Sequence, residues 1–169
     1  MICYVAIRIE DGKPVIFKQQ RIGRKGKPFY IYKFRSLTAE GGNEENLLIG
    51  ETKKKELTHI GKFLREHHID ELPQLWNVLI GDMAFVGPRP ERKYYIDMIL
   101  KYDPRYELLY KLRPGVTSYA TLYNGYTDTM EKMLRRLELD LYYLEHRSWW
   151  FDITILAKTF INIMFGKKF

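Results

Sequence analysis

The sequence predicts a single α+β domain over residues 1–169, mainly α-helical with one small β-hairpin. Its length of 169 residues, with 46% hydrophobic and 15% aromatic content, suits one folded domain with a modest core. Two β-rich runs lie between residues 14 and 37, on either side of a segment rich in glycine and charge. Over residues 57–79, apolar side chains recur at helical spacing. These observations together favour helices packed beside a hairpin.

The predicted hairpin consists of the runs PVIFKQQ and PFYIYKFRSL. Residues 21–27 between them contain the glycines and charges that are typical of a hairpin loop. In the second run, a period of two places Lys33 and Arg35 on one face of the strand. This face is either a solvated strand edge guarded by cations or a site for anions. The next segment, residues 38–56, is predicted to be a mobile loop or a frayed helix.

Asp70 and Glu71 form an adjacent carboxylate pair where two predicted helices meet. Because proline is tolerated only in the first turn of a helix, Pro73 places both acids at or beside the start of the second helix. The helix dipole there keeps a carboxylate ionised and favours a nearby phosphate or metal ion. Alternatively, Asp70 is a simple N-cap and Glu71 an ordinary acid of the first turn.

Arg89 lies in the segment Gly-Pro-Arg-Pro, directly between Pro88 and Pro90. The two prolines restrict the backbone, which lowers the entropy cost of holding a guanidinium against a phosphate. The sequence therefore predicts an anion-binding arginine here. The alternative is a rigid loop without a binding role.

The net charge of +7 attracts nucleic acid, anionic lipid headgroups and phosphorylated substrates alike. Cys3 is the one cysteine, which excludes an internal disulfide and a cysteine-based zinc site and fits a reducing compartment. We therefore predict that the reactive part faces the cytoplasm. No uninterrupted apolar run of about 18 residues is present, so the sequence predicts no spanning helix.

Both ends of the chain are strongly apolar. Residues 149–165, WWFDITILAKTFINIMF, begin with two tryptophans and carry Asp152 and Lys158 as their charges, a pattern that suits the bilayer interface. The alternative is a helix buried in the core or in a homodimer contact. The opening residues MICYVAIRIE read like the tail of a longer apolar element. We therefore expect part of an N-terminal segment to be missing.

Six ordered segments resemble the bacterial sugar transferases, monotopic phosphoglycosyl transferases that begin glycan assembly on polyprenyl phosphate. They are PVIFKQQRIG, IYKFRSL, IGKFLRE, DELPQLWNVLIGDMAFVGPRP, LRPGVTS and LELDLYYLEHRSWWFDI. The resemblance implies a helical fold with a small β-hairpin, amphipathic helices at the membrane interface and a re-entrant N-terminal helix, most of which we expect to be absent here. It also implies a place on the cytoplasmic face of the bacterial inner membrane.

The resemblance further implies the chemistry. Asp70 would attack the sugar-linked phosphorus of a nucleoside-diphosphate sugar, expected to be a UDP-sugar, release UMP and become a covalent aspartyl-phosphosugar. Polyprenyl (undecaprenyl) phosphate would then take the sugar phosphate in a ping-pong reaction. Mg²⁺ would be held by Asp70 and Glu71. The basic positions that match the family, and would bind the phosphates, are Lys33, Arg35, Arg65 and Arg89. Such a reaction is the first membrane step of exopolysaccharide, capsule, O-antigen or glycoprotein glycan synthesis.

Some positions are left out of this predicted site or depart from the family. Asp140 and Asp152 match family positions, but each falls on an amphipathic helix, where a solvated carboxylate is the ordinary interpretation. Residues 113–117 match well, whereas residues 118–126 differ from the commoner pattern and place Tyr126 where a cation is usual. The donor sugar therefore cannot be inferred from better-known relatives.

Two other classes of protein are alternatives. A basic helix-turn-helix protein would use residues 57–79 to present Gln74 and Asn77 to DNA bases. The second predicted helix is mostly apolar, however, so we predict no nucleic-acid partner. The other alternative is a catalytically inactive, membrane-associated scaffold.

Overall fold

The computed structural model describes residues 2–12, 14–37, 58–125 and 127–165. The α-helices are α1 Ile2–Asp11, α2 His59–Glu66, α3 Gln74–Leu79, α4 Lys93–Tyr102, α5 Tyr119–Asn124, α6 Met130–His146 and α7 Trp149–Met164. The strands are β1 Ile16–Ile22, β2 Pro28–Phe34, β3 Ala84–Val86 and β4 Gly115–Thr117. Short 3₁₀ helices cover Arg24–Gly26, Ile69–Glu71 and Pro104–Lys111. The predicted α+β class is confirmed, while the predicted loop at residues 38–56 and Tyr126 lie outside the described residues.

Strands β1 and β2 form the predicted antiparallel hairpin, with Ile16 opposite Phe34. The loop is shorter than predicted because Arg21 and Ile22 continue β1 and pair with β2. The remaining connection, residues 23–27, contains a single 3₁₀ turn. The hairpin therefore presents seven consecutive residues of β2, including Lys33, in register with β1.

Strands β3 and β4 pair in parallel, with Val86 opposite Thr117. The chains approach so closely beyond β3 that a Cβ atom at Gly87 would lie 2.3 Å from the carbonyl oxygen of Arg113. Only glycine fits this contact. The parallel pair therefore holds the Gly-Pro-Arg-Pro segment beside the start of α5.

Helix α6 supplies much of the main core. Met133, Leu137 and Leu141 recur every four residues and pack together against α4 and the 3₁₀ helix Pro104–Lys111. The same side of α6 also buries Arg136 and Asp140. The core thus contains two ionisable groups, although charged residues are seldom fully buried unless they are paired.

Serine and threonine side chains begin four of the helices. In each, the hydroxyl oxygen accepts a hydrogen bond from the backbone N–H three residues later, which satisfies a donor that the helix leaves unpaired. The capping residues are Thr58, Ser118, Thr129 and Ser148. The two helices predicted to meet at the carboxylates are confirmed as α2 and α3.

Helix α7 lies mostly on the surface. Trp149 and Trp150 are 82% and 78% exposed, and Ile155 is the one residue of α7 that is buried. The alternative in which this segment is buried within the core is therefore wrong for this chain, while a bilayer contact or a homodimer contact stays a prediction. Within the part of the chain that the structure describes, no helix has both the length and the apolar character to cross a bilayer.

Candidate active site

The carboxylate pair lies on the 3₁₀ helix Ile69–Glu71, between α2 and α3. His68 has a left-handed backbone with φ of 54°, a conformation that ends α-helices, so α2 cannot continue into the pair. Pro73 immediately precedes α3. Asp70 and Glu71 therefore lie beside the start of α3, as predicted.

Glu71 is clamped by a cation from the hairpin. Its Oε1 atom lies 2.7 Å from Nζ of Lys33, and both side chains are about one-fifth exposed. Burial favours the neutral acid, but the charges of Lys33 and Arg89 outweigh it and lower the pKa of Glu71 to about 2. Glu71 is therefore an anion throughout the physiological range.

Asp70 has a different environment, although it is the adjacent residue. Asp70 is only 8% exposed. Burial raises the pKa of Asp70, Glu71 raises it further, and the charges of Lys33 and Arg65 oppose the increase. Neighbouring carboxyl groups whose pKa values are driven apart are typical of catalytic sites.

Asn77 fixes α3 against the hairpin. Its side chain is fully buried; Nδ2 donates to the carbonyl oxygen of Tyr30 at 2.7 Å, and Oδ1 accepts from the backbone N–H of Tyr32 at 3.2 Å. These bonds set the position of β2 relative to α3, and hence Lys33 relative to Glu71. Sequence reasoning missed this role because only a contact between distant segments defines it.

The burial of Asn77 also bears on the helix-turn-helix alternative. Gln74, the other residue assigned to base recognition, is 4% exposed. Side chains enclosed in this way do not reach the edges of DNA bases. The nucleic-acid-binding alternative is therefore not favoured.

The segment around Arg89 is held on both sides, as its two prolines predict. The carbonyl oxygen of Pro88 accepts from the backbone N–H of Gly115 at 2.9 Å, and that of Pro90 accepts from Nη1 of Arg21 at 3.3 Å. The half-buried Arg89 side chain acts on Glu71, whose pKa its charge helps to lower. The fold therefore brings Arg89 and the carboxylate pair into one electrostatic site.

The other two predicted cations are placed differently. Arg65 is exposed at the end of α2, where its Nε donates to Oγ of Ser36 at 2.8 Å, and its charge acts on Asp70. Nε of Arg35 donates to the carbonyl oxygen of Leu37 at 3.1 Å, so this side chain lies along its own loop. The strongest charges on Asp70 and Glu71 include Lys33, Arg65 and Arg89 but not Arg35.

The interpretation of Asp140 as a solvated carboxylate is wrong. Asp140 is 3% exposed, and burial raises its pKa to about 8 although the charge of Arg136 opposes this. Helical spacing places it on the core side of α6, but its polar side chain suggested the opposite. Asp152 is half-buried at the start of α7, where it accepts a 2.6 Å hydrogen bond from the hydroxyl of Tyr143. It too has a protein partner rather than water alone.

The chemistry of the site limits how a metal ion would be held. Among the described residues, no group of three or more His, Cys, Asp or Glu side chains is arranged to hold a metal ion. Mg²⁺, however, is usually bound through one or two carboxylates together with substrate phosphates. Asp70 and Glu71 fit that arrangement, with Lys33 occupying one oxygen of Glu71.

Comparison with known proteins identifies the family of this chain. The sequence profile of the family described as bacterial sugar transferase matches residues 1–166. This chain belongs to the bacterial sugar transferase family. The assignment confirms the resemblance that the six ordered segments indicated.

Three bacterial sugar transferases illustrate the similarity. The UDP-glucose:undecaprenyl-phosphate glucose-1-phosphate transferase of Klebsiella pneumoniae is 39% identical over 96% of this chain and 36% of its own length. The enzyme of the same name from Escherichia coli is 40% identical over 92% of this chain and 34% of its own. The UDP-N-acetylgalactosamine-undecaprenyl-phosphate N-acetylgalactosaminephosphotransferase of Aeromonas hydrophila is 36% identical over 96% and 38%. The chain thus spans little more than a third of these relatives.

Proposed function

We propose that this chain is the catalytic core of a transferase that moves a sugar 1-phosphate from a UDP-sugar to undecaprenyl phosphate and releases UMP. The names of three relatives contain both substrates. The observation that carries the proposal is the contrast between neighbouring carboxyl groups, since Glu71 is clamped by Lys33 while the pKa of Asp70 is raised. A carboxylate made more basic by burial is a stronger nucleophile once it is ionised.

In the first proposed step, a carboxylate oxygen of Asp70 attacks the phosphorus that carries the sugar. A bond forms between that oxygen and phosphorus, and the phosphoanhydride bond to the nucleotide breaks. UMP leaves with the bridging oxygen and its electron pair, so no proton transfer is needed. The product on the protein is an aspartyl-phosphosugar.

In the second step, a phosphate oxygen of undecaprenyl phosphate attacks the same phosphorus. The bond to Asp70 breaks, and its electron pair returns to the carboxylate. The lipid leaves as a diphosphate linked to the sugar. The reaction is therefore ping-pong, with UMP released before the lipid reacts.

The surrounding charges suit this sequence of steps. Lys33 and Arg89 lie where they lower the pKa of Glu71, and positive charge of that kind favours the diphosphate of the donor and the phosphate of the lipid. Arg65 adds charge beside Asp70. Arg35, which directly follows β2, is proposed as a further phosphate-binding cation. Mg²⁺, when bound by Asp70 and Glu71 together with the substrate, supplies neutralisation of the diphosphate charge.

We also propose that the core sits on the cytoplasmic face of the bacterial inner membrane as a monotopic protein. Helices α3 and α7 both contact β3 and both expose large apolar side chains, including Trp76, Leu79, Trp149 and Trp150. Tryptophan is enriched at the level of lipid headgroups, where its ring is partly apolar and partly polar. This surface would place the carboxylate pair near the phosphate of a membrane-bound lipid.

The membrane assignment is tested by replacing both tryptophans, Trp149→Ser with Trp150→Ser, and measuring flotation with anionic liposomes. Since both are exposed, the variant should lose liposome binding with little change in melting temperature. A matched control replaces two exposed aromatic residues of α4, Tyr94→Ser with Tyr102→Ser, and should still float. Equal binding by both variants would count against an interfacial α7.

The reaction itself is tested by measuring UMP release from a panel of UDP-sugars with Mg²⁺ and a polyprenyl phosphate in detergent. We expect UMP release that requires Asp70. The donor that gives the fastest release will identify the sugar, which the sequence does not predict because residues 118–126 differ from the commoner family pattern. In the variant Asp70→Asn, release should fall by at least about 10³-fold, as for loss of a covalent nucleophile. A radiolabelled donor should label the wild-type protein in the absence of lipid.

The control for this measurement is Asp97→Asn, which removes a carboxylate from an exposed pair with Lys93 on α4. It should leave turnover unchanged. An Asp70→Asn variant with a normal rate would end the nucleophile assignment. Wild-type protein that binds membranes but releases no nucleotide from any donor would favour the inactive scaffold.

A further inference from the structure

The core contains a cluster of ionisable side chains for which the proposed reaction has no use. We define it as the interior cluster: Glu91, which follows the Gly-Pro-Arg-Pro segment, with Arg136 and Asp140 of α6. Arg136 and Asp140 are 8% and 3% exposed. Burying such groups costs several kcal/mol per ion unless partners compensate, and apolar residues of similar size would pack there without that cost. Stability alone therefore does not explain the interior cluster.

Arg136 connects three segments of the chain. Its Nη1 donates to Oε1 of Glu91 at 2.9 Å, and its Nη2 donates to the carbonyl oxygen of Gly125 at 3.1 Å. Asp140, one turn later, is buried near the backbone N–H of Ala120, which favours the charged form of the carboxyl group. The cluster therefore ties α6 both to the Gly-Pro-Arg-Pro segment and to α5.

Glu91 is held from the other side by the hairpin. Its backbone oxygen accepts from the N–H of Ile22 at 3.0 Å, and its Oε2 lies 3.7 Å from Nη1 of Arg21. Both the main chain and the side chain of Glu91 are thus fixed, two residues after Arg89. The interior cluster consequently constrains the backbone from which Arg89 projects.

Arg89 also borders the same cavity as the interior cluster. Arg89, Glu91, Arg136 and Asp140 line one cavity of about 10 Å³, whose other walls are apolar side chains of α4, α6 and the intervening 3₁₀ helix. The charge of Arg89 acts on both Arg136 and Asp140, in addition to its action on Glu71. Arg89 is therefore electrostatically coupled to both the interior cluster and the carboxylate pair.

We propose that the interior cluster positions Arg89. Arg136 repels the Arg89 guanidinium from the core, and Glu91 anchors the backbone next to Arg89. The Arg89 side chain is thereby directed at the diphosphate beside the carboxylate pair. The inference rests on the proposed function only in naming a diphosphate as the group that Arg89 binds. Like charges in surroundings of low dielectric repel strongly. An arginine held in its binding direction loses less entropy when an anion arrives. Arg136 is thus a positioning residue that acts through Arg89.

The test is a double-mutant cycle between Arg136→Met and Arg89→Ala, with the dissociation constant of inorganic pyrophosphate measured by calorimetry on the full chain. Each single variant should weaken binding by about 10-fold, within the range of coupling through intervening residues. Because Arg136 acts through Arg89, the double variant should bind no worse than Arg89→Ala alone. A double variant whose loss of pyrophosphate affinity equals the product of the two single losses would overturn the proposal. Such a result would mean that Arg136 acts independently of Arg89.

Arg135→Met is the matched control, since it removes an equal charge from the neighbouring, exposed position of α6. It should leave pyrophosphate binding unchanged, whereas a loss equal to that of Arg136→Met would mean that net charge alone is responsible and would overturn the proposal. Arg136→Lys keeps the charge and should restore part of the affinity. If Arg136→Met loses its near-ultraviolet circular dichroism, Glu91→Gln replaces it in the cycle, because it removes the charge while preserving shape.

Turnover separates this inference from the proposed function. Coupled pyrophosphate binding in a protein that releases no UMP would support the positioning of Arg89 while the proposed reaction failed. Normal UMP release with independent effects on binding would support the reaction and overturn the positioning. Wild-type protein that does not bind pyrophosphate would overturn the positioning, because Arg89 would then have no anion to meet.

Discussion

Asp70 and Asp140 are both buried aspartates whose pKa values burial raises, yet they lie in opposite kinds of surroundings. Asp70 is on a one-turn 3₁₀ helix, between the half-buried Ile69 and Glu71 and close to the exposed Leu72. Asp140 is in the middle of a 17-residue helix and faces the main core. The two residues differ less in burial than in what encloses them.

The difference shows how a fold gives two buried carboxyl groups different electrostatic surroundings. Burial raises the pKa of Asp70, whereas the charge of Lys33 favours its ionised form, which the proposed nucleophilic role requires. Apolar packing around Asp140 raises its pKa to about 8, so it holds its proton at neutral pH and does not compete with Glu91 for Arg136. Three substitutions test these two environments, from the one expected to lower the free energy of unfolding most to the one expected to lower it least.

The largest effect is expected for Asn77→Ala. The substitution leaves the buried carbonyl of Tyr30 and N–H of Tyr32 without partners, which should cost about 2 to 4 kcal/mol. Turnover should fall as well, since β2 would no longer hold Lys33 in register with Glu71. Urea unfolding and UMP release measure the two effects.

Asn124→Ala is the control for that substitution, because Asn124 makes one exposed hydrogen bond, from Nδ2 to the carbonyl oxygen of Lys132. It should change stability by less than about 1 kcal/mol. Equal losses in the two variants would show that Asn77 has no special part in building the site.

An intermediate effect is expected for Lys33→Met. Glu71 would lose its ion pair while remaining largely buried, which should cost about 1 to 3 kcal/mol and raise the pKa of Glu71 towards its ordinary range. In the wild type, the low pKa of Glu71 stabilises the fold above about pH 4.5, and this contribution is lost as the pH falls towards about 2.

The variant should therefore be more destabilised at pH 7 than at pH 2, as measured by thermal unfolding at both values. Lys18→Met, on the other strand of the hairpin and exposed, is the control and should change neither. A Lys33→Met deficit that is the same at both pH values would indicate lost packing rather than a lost ion pair.

Asp140→Asn is expected to be the least destabilising of the three substitutions. The folded state holds the Asp140 proton up to about pH 8, whereas the unfolded state releases it near its ordinary value of 3.8, so this group destabilises the fold as the pH rises between those values. Asparagine cannot ionise and has nearly the same shape as aspartate. The variant should match the wild type at pH 4 and exceed its stability at pH 8.

Melting temperatures across that interval, with Asp97→Asn as the exposed control, test this expectation. Parallel curves for wild type and Asp140→Asn would mean that Asp140 is ionised in the folded protein. Asp140 would then form an ion pair with Arg136, and the contrast with Asp70 would disappear.

The elements that sequence reasoning predicted well are those with local causes. The hairpin follows from two β-rich runs with a charged loop, and the place of Asp70 and Glu71 beside α3 follows from Pro73. Errors arose where a residue's type and its face disagreed. Asp140 has the spacing of the core positions on α6, but a carboxylate on an amphipathic helix is usually solvated, so its burial was not predicted.

Periodicity, turn chemistry and ordered motifs were thus sufficient for the fold class, the family and the carboxylate pair, because each is encoded within a few dozen neighbouring residues. Three contacts join segments that are far apart in the sequence. The ion pair of Lys33 with Glu71 spans 38 positions, and the hydrogen bonds of Asn77 to the hairpin span 45 and 47. The bond between Arg136 and Glu91 in the interior cluster spans 45. Such contacts depend on how the helices pack around the hairpin and the β3–β4 pair. Packing also determined the different surroundings of Asp70 and Asp140, since the solvent exposure of a carboxyl group and the charges near it depend on segments that are distant in the chain.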